Sequence, residues 1–186
     1  MATKRGAAVT VAQAWIEPVS DDPEAVSALA VARARLPAGR ALRSLRRLRL
    51  FELSGALPAR AGLEGLLHRS IQFYNPHKER CAVRMAASDP VPLSAEEQVV
   101  LVFERGAERR GGAERWWGHE TGRDVVVREG VAWVMSFESL EPDPVGAAEE
   151  LAVLRDRRHG LLCNPHAQEY RLAAGKIPLP WMGAGE

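Results

Sequence analysis

Along residues 127–172 the apolar positions change period. In VREGVAWVMSFE, Val131, Trp133, Met135 and Phe137 alternate with other residues, the period-two pattern of a strand with one apolar face. Residues 125–137 read as a strand pair turning at Glu129-Gly130. Asp143 can then cap a helix start and Pro144 fits its first position, after which Leu151, Leu154, Arg158, Leu161 and Leu162 share one helical stripe. Asn164-Pro165 is expected to end that helix, because the residue before a proline is pushed out of the helical region, and the chain should leave as a strand over 168–173.

The same order occurs earlier. Asn75-Pro76-His77 repeats as Asn164-Pro165-His166, in each case after an apolar helical stripe (Leu63, Leu66, Leu67, Ile71 and Tyr74 in the first) and before a short strand-like run. FELSGALPAR from Phe51 stands where FESLEPDPVG stands from Phe137. Two echoes in one order suggest an internal duplication.

The remaining elements follow from local signals. A first strand over 7–17 places Val9, Val11 and Trp15 on one face; Asp21-Asp22-Pro23 starts a helix over 24–36, closed by Pro37 and Gly39. Leu45, Leu48 and Leu50 fit both periods, and 48–53 is read as strand. A helix over 60–73 and a strand over 80–85 complete the half. Residues 86–98, small, acidic and proline-bearing without periodicity, have the composition of a linker. The unbroken apolar run 99–103 predicts a strand covered on both faces, and a short helix follows near 113–117. Each half then reads βαββαβ. The fold class is α+β, as two tandem ferredoxin-like units packed as a pseudo-dimer: 1–87, a linker at 88–98, 99–174, and an extended surface tail at 175–186. Helices cover one face of such a sheet; the apolar surplus at Trp15, 99–103, Trp133 and Phe137 requires sheet-on-sheet packing or a partner on the other.

Composition adds limits. The 186 residues are 46% hydrophobic and 26% charged, ordinary for a globular chain, and a net charge of +1 gives no charge-driven reason for a nucleic-acid or membrane partner. The arginines of 40–49 are read as a solvated element face in preference to a phosphate patch. Without a charged-then-apolar leader, the chain is expected in the cytoplasm, with Cys81 and Cys163 reduced and buried.

Candidate chemistry is sparse. Neither a nucleophile elbow nor a phosphate-cradling glycine loop with a lysine is present. Arg109 and Arg110, among Gly106, Gly111 and Gly112, form a weak candidate anion site, a solvated loop being the commoner meaning. His159, Cys163 and His166 have donor types that bind zinc but lack a fourth ligand. Because His77 and His166 recur after the same Asn-Pro, they are read as residues facing a helix C-terminus. Trp116-Trp117 reads as packing or an interface anchor. No catalytic residue, metal or cofactor is expected.

Val127, Arg128 and Gly130, with Leu161, Leu162, Asn164, Pro165 and Tyr170, resemble the small S subunit (PurS) of formylglycinamide ribonucleotide amidotransferase, that is, phosphoribosylformylglycinamidine synthase. In that family a Val-Arg-x-Gly turn opens the third strand and a Leu-Leu-x-Asn-Pro stop precedes a final strand carrying Tyr. The first half keeps Asn75-Pro76 and Asp22-Pro23 but has Leu42 and Ser44 where the second has Arg128 and Gly130; the family's Lys after that Gly is Val131. The resemblance implies a non-catalytic subunit of de novo purine biosynthesis that joins the synthetase (large) subunit to the glutaminase. The motif positions Arg128, Gly130, Asn164, Pro165, Tyr170, Asn75 and Pro76 would be its interface residues, with an internal pseudo-dimer and possible further dimerisation. The alternative is a sensor holding a small anionic metabolite between the two units, with Arg109, Arg110 and Arg128 as its cations.

Overall fold

Asp22 and Pro23 start the first helix as their positions predict: the Asp22 carboxylate accepts from the amides of Glu24 (2.9 Å) and Ala25 (3.0 Å), and Pro23 opens α1 (Pro23–Arg35). The computed structural model describes residues 10–106, 111–174 and 181. Within them the strands are β1 (Thr10–Pro18), β2 (Leu42–Gly55), β3 (Glu79–Arg84), β4 (Gln98–Glu104), β5 (Val125–Phe137) and β6 (Gln168–Ala173). The other helices are α2 (Arg60–His68), α3 (Gly112–Thr121) and α4 (Pro144–Ala152). Among the described residues no helix is long and apolar enough to cross a membrane.

All six strands join one sheet in the order β3-β1-β2-β5-β4-β6, and every neighbouring pair is antiparallel. The order reads the same outward in either direction from the seam between β2 and β5, each of which pairs along nearly its whole length with the other. Period-two alternation assigns the faces. On the helix face lie two apolar clusters. One joins Ala12, Ala14, Ile16, Phe51 and Leu53 to Leu63 and Leu67 of α2 and Trp117 of α3; the other joins Leu45, Val100, Val102, Trp133 and Met135 to Ala25 and Ala32 of α1 and Leu151 of α4. On the opposite face Trp15, Leu48, Leu50, Val99, Leu101, Phe103, Ala132 and Val134 form a third cluster, against which Val91 and Leu93 of the β3–β4 connection pack. The linker-like stretch thus covers part of the face that the helices leave bare. Burying each of these large side chains contributes about 1.5–3 kcal/mol. The five residues from Val99 to Phe103 are all buried, the two-sided cover that their unbroken apolar run predicts, and Gln98 before them is buried too.

Several expectations are corrected. β5 runs straight through Glu129-Gly130 instead of turning there, so each half supplies three strands in the order βαβαβ, not four. Gly130 serves close approach: a Cβ there would lie 2.5 Å from the Phe103 ring and 2.8 Å from the Val102 carbonyl. β2 is longer than the 48–53 reading, because leucines spaced three apart can be buried on alternate faces of one strand that has a register shift between Leu42 and Ser44. Both second helices stop early. α2 ends at His68, and the Ser70 carbonyl accepts from the amides of Phe73 and Tyr74 in a tight turn. α4 ends at Ala152, since Asp156 binds the amides of Arg158 and His159 and thereby competes with helix continuation. The Asn-Pro pairs are therefore not helix stops; each sits at the entry to an edge strand, β3 or β6. Val9 and the tail at 175–186 apart from Trp181 lie outside the described residues.

Candidate functional site

A polar row crosses the face opposite the helices. Arg84 of β3 stands beside Gln13 of β1, Gln13 beside Glu52 of β2, and Glu52 beside Arg128 of β5, all in register. Gln13 and Glu52 have no exposed surface and Arg84 very little. A buried carboxylate costs several kcal/mol unless charges and donors surround it, and here they do. Gln13 Nε2 donates to Glu52 Oε1 at 3.0 Å, Arg171 Nη1 of β6 donates to the same oxygen at 3.4 Å, and Arg128 Nη1 lies 4.0 Å from Oε2. Oε2 itself accepts no hydrogen bond. Gln13 turns its carbonyl to Arg84, whose Nη1 donates at 3.0 Å while Nη2 donates to the Ala87 carbonyl at 2.6 Å.

Phe103 is the platform of the row. The Arg128 guanidinium carbon lies 4.1 Å and that of Arg171 5.2 Å from its ring centre, so two cations stack on one aromatic residue. The absent side chain at Gly130, directly across from Phe103, leaves room for this ring. Arg128 also donates to Glu169, whose carboxyl is held below the ordinary range chiefly by that bond. At the other end Arg84 lies 4.9 Å from the Trp181 ring centre, and burial lowers its pKa. Arg128 and Arg171 keep about a third of their side-chain surface in solvent. The arrangement offers two oriented guanidinium groups, each about a third exposed, above an aromatic ring, and no nucleophile paired with a base.

Of the residues singled out from sequence, Arg128 and Gly130 fall within this cluster. The two Asn-Pro pairs lie at opposite edges of the sheet, in matching hydrogen-bond settings. Asn75 Oδ1 accepts from His77 N (3.0 Å) and Asn164 Oδ1 from His166 N (3.1 Å); Asn75 O accepts from Lys78 and Glu79, and Asn164 O from Ala167 and Gln168. Each turn is closed by a side chain from the strand it begins, Glu79 Oε2 on Asn75 N (2.7 Å) and Gln168 Oε1 on Asn164 N (2.9 Å). His77 and His166 are exposed in these turns and do not face a helix end, which corrects their expected role. Tyr170 is partly exposed on β6, on the side that Leu172 shares with the helices. Arg109 and Arg110 lie outside the described residues.

The other candidates resolve into packing. Trp117 is fully buried, and Phe73 meets Trp116 and Trp117 edge-on at 5.9 and 6.2 Å. Arg46, Arg47 and Arg49 form ion pairs with Glu17 and Glu97, Asp22 and Glu24, and Glu79. His159 binds Asp156, and no group of three or more His, Cys, Asp or Glu could hold a metal among the described residues. Burial pushes the Cys81 thiol up to about 12, helped by Glu64, and raises that of Cys163. Gln13, Glu52, Arg84 and Arg171 were missed. A Gln inside VAQAWI and a Glu inside FELSG, each at an interior position of an apolar strand, were the available signal. Comparison of the chain with family models, with curated proteins and with solved structures returns no match.

Proposed function

We propose that this chain is a non-catalytic, cytoplasmic subunit of phosphoribosylformylglycinamidine synthase, a tandem S-like scaffold joining the synthetase to the glutaminase. The observation that carries the reading is the agreement between the halves: the same Asn-Pro turn, with the same set of hydrogen bonds, opens the edge strand at either end of a sheet whose strand order is symmetric about the β2–β5 seam. In this reading each half is one ferredoxin-like unit that has merged its two middle strands into one long strand, β2 or β5, and completes its sheet with the other half. The seam is then a covalent form of the S-subunit dimer. Reconstitution with the two enzyme subunits tests it. Co-elution of a ternary complex in the presence of nucleotide and glutamine is expected, with no turnover by the isolated chain. Failure of both subunits to associate overturns the proposal.

A second reading rests on the polar row, because Glu52 comes from the first half while Arg128, Arg171 and Phe103 come from the second. A small anionic metabolite on the two guanidinium groups would straddle the seam. A thermal-shift screen with nucleotides and amino acids tests it, since a ligand bound only by the folded state raises Tm.

A further inference from the structure

The connections that precede the two Asn-Pro turns occupy equivalent places and differ in chemistry. In the first half, residues 69–74 pair Arg69 with Glu120 at 3.3 Å and leave Ile71 79% exposed. In the second half, residues 153–163 form a longer loop whose tip carries Arg155, Arg157 and Arg158, all exposed and without an ion pair among the described residues. The tip is held firmly. Asp156 Oδ1 accepts from Arg158 N (2.7 Å) and His159 N (3.1 Å), and His159 Nδ1 lies 2.9 Å from the same oxygen. The Arg155 amide donates to the His159 carbonyl at 2.9 Å, and below it the Leu154 amide donates to the Cys163 carbonyl at 2.9 Å. Gly160 turns the chain at φ +79°. Three cations are thus presented on an ordered turn, so less conformational entropy is lost when they meet a partner.

We infer that the 155–159 loop is a docking element for a carboxylate-rich protein surface, and that it distinguishes the second half from the first. A free phosphate would look for backbone amides, but those of Arg158 and His159 are taken by Asp156. A nucleic acid needs many converging cations, yet the chain carries a net charge of only +1 and Arg46, Arg47, Arg49, Arg128 and Arg171 are committed to carboxylates. Leu154, 46% exposed beside the tip, adds the apolar contact of a protein interface. A symmetric scaffold presents two equal ends to two different proteins; one charged loop makes the ends unequal and orients the assembly. This orienting role rests on the scaffold reading above, whereas the loop's preference for carboxylates does not.

Two arms test it, both with the full chain. In the first, the synthetase and the glutaminase are titrated separately against wild type, against Arg155→Glu/Arg157→Glu/Arg158→Glu, and against Arg35→Glu/Arg40→Glu/Arg43→Glu, a control of equal charge change at three exposed positions at the end of α1, in the α1–β2 connection and at the start of β2. The loop variant should weaken one of the two binary complexes about ten- to a hundred-fold and flatten its salt dependence, leaving the other complex and the control unaffected. Equal loss of both complexes, loss of neither, or equal loss in the control overturns the inference. In the second arm, a fluorescent decaglutamate peptide and a single-stranded oligonucleotide are compared at low ionic strength. Peptide binding that the loop variant abolishes and the control keeps supports the docking role even if neither enzyme subunit binds, an outcome that removes only the scaffold. No peptide binding by wild type, unchanged binding by the loop variant, or tighter binding of the oligonucleotide through the same arginines overturns it.

Discussion

In the first half the chain passes from α2 to Asn75 through a short turn that tucks Phe73 and Tyr74 beneath α3 and against α2; in the second it leaves α4 by way of Val153, which bridges Cys163 in parallel, and runs out to an arginine tip before returning to Asn164. The turns at the end of these routes are alike and the routes are not. A strand entry is fixed by a few local hydrogen bonds whose donors and acceptors all lie within five residues, so a repeated sequence repeats the geometry. A route between elements is set by whatever must be covered and by one or two residues able to reverse the chain. The halves therefore agree where the sheet is specified and diverge where a surface is presented.

The largest expected effect is at Gly160, which has no counterpart in the first half's route. A Cβ there would lie 1.6 Å from the Val153 carbonyl oxygen, on a backbone already in the left-handed region. Gly160→Ala must move backbone atoms, and we expect a loss of about 3 kcal/mol or more in urea unfolding. Ile71→Ala, at the exposed point of the first route, should stay within about 0.5 kcal/mol. A similar loss for both would mean that the routes are held alike.

Glu52 tests the seam that joins the halves. Glu52→Ala removes the acceptor shared by Gln13 and Arg171 and the partner of Arg128. Breaking a buried pair costs about 3–5 kcal/mol, but both guanidinium groups are about a third exposed and can regain water, so about 2–3 kcal/mol is expected. Glu52→Gln keeps an acceptor for Gln13 and should lose less. If the two substitutions cost the same, charge contributes nothing at the seam.

How much of this was legible follows from the range of each interaction. The Asp22 and Asp143 caps, the two-sided burial of 99–103 and the final strand were readable because each is written in a few neighbouring residues. The continuous β5 was not. Glu129-Gly130 carries a local turn signal, and what overrides it is Phe103, distant in sequence, whose ring needs the space a side chain at Gly130 would fill. The long second helices failed for the opposite reason: apolar periodicity continued through Leu154, Leu161 and Leu162, while the competing Asp156 turn and Gly160 lay inside the same window. The polar row could be suspected only at Gln13 and Glu52, since its meaning depends on a register that brings four strands into line.

A smaller and more symmetric effect is expected at the Asn-Pro turns. Asn75→Ala and Asn164→Ala each delete one side-chain acceptor for the amide of the following His and should cost about 1 kcal/mol apiece. Pro76→Ala and Pro165→Ala should cost less, about 0.4–1 kcal/mol, mainly by freeing the unfolded chain, and without lengthening either helix. The informative quantity is the difference between the halves in calorimetric stability. Paired losses that differ by more than the cost of one hydrogen bond would break the equivalence of the two turns.

The smallest effect separates the edge strands by charge. Glu169 on β6 binds Arg128, which holds its carboxyl below the ordinary glutamate value of about 4.3. A carboxyl with a depressed folded pKa adds stability that is fully present above the unfolded value and is lost as the pH falls through the folded one. Because the Glu169 side chain is 42% exposed, the contribution belongs with surface pairs, at about 0–1 kcal/mol. Asp89 and Asp156 also have depressed values and give the whole protein an acid slope of the same sign, so the Glu169 share must be read as a difference from Glu169→Gln. Wild type should exceed the variant by a constant amount at neutral pH, and the gap should close as the pH drops below about 4. A gap that persists in acid would show that Glu169 acts through packing against β4 rather than through its charge on Arg128, and the link from the second edge strand to the polar row would then be steric.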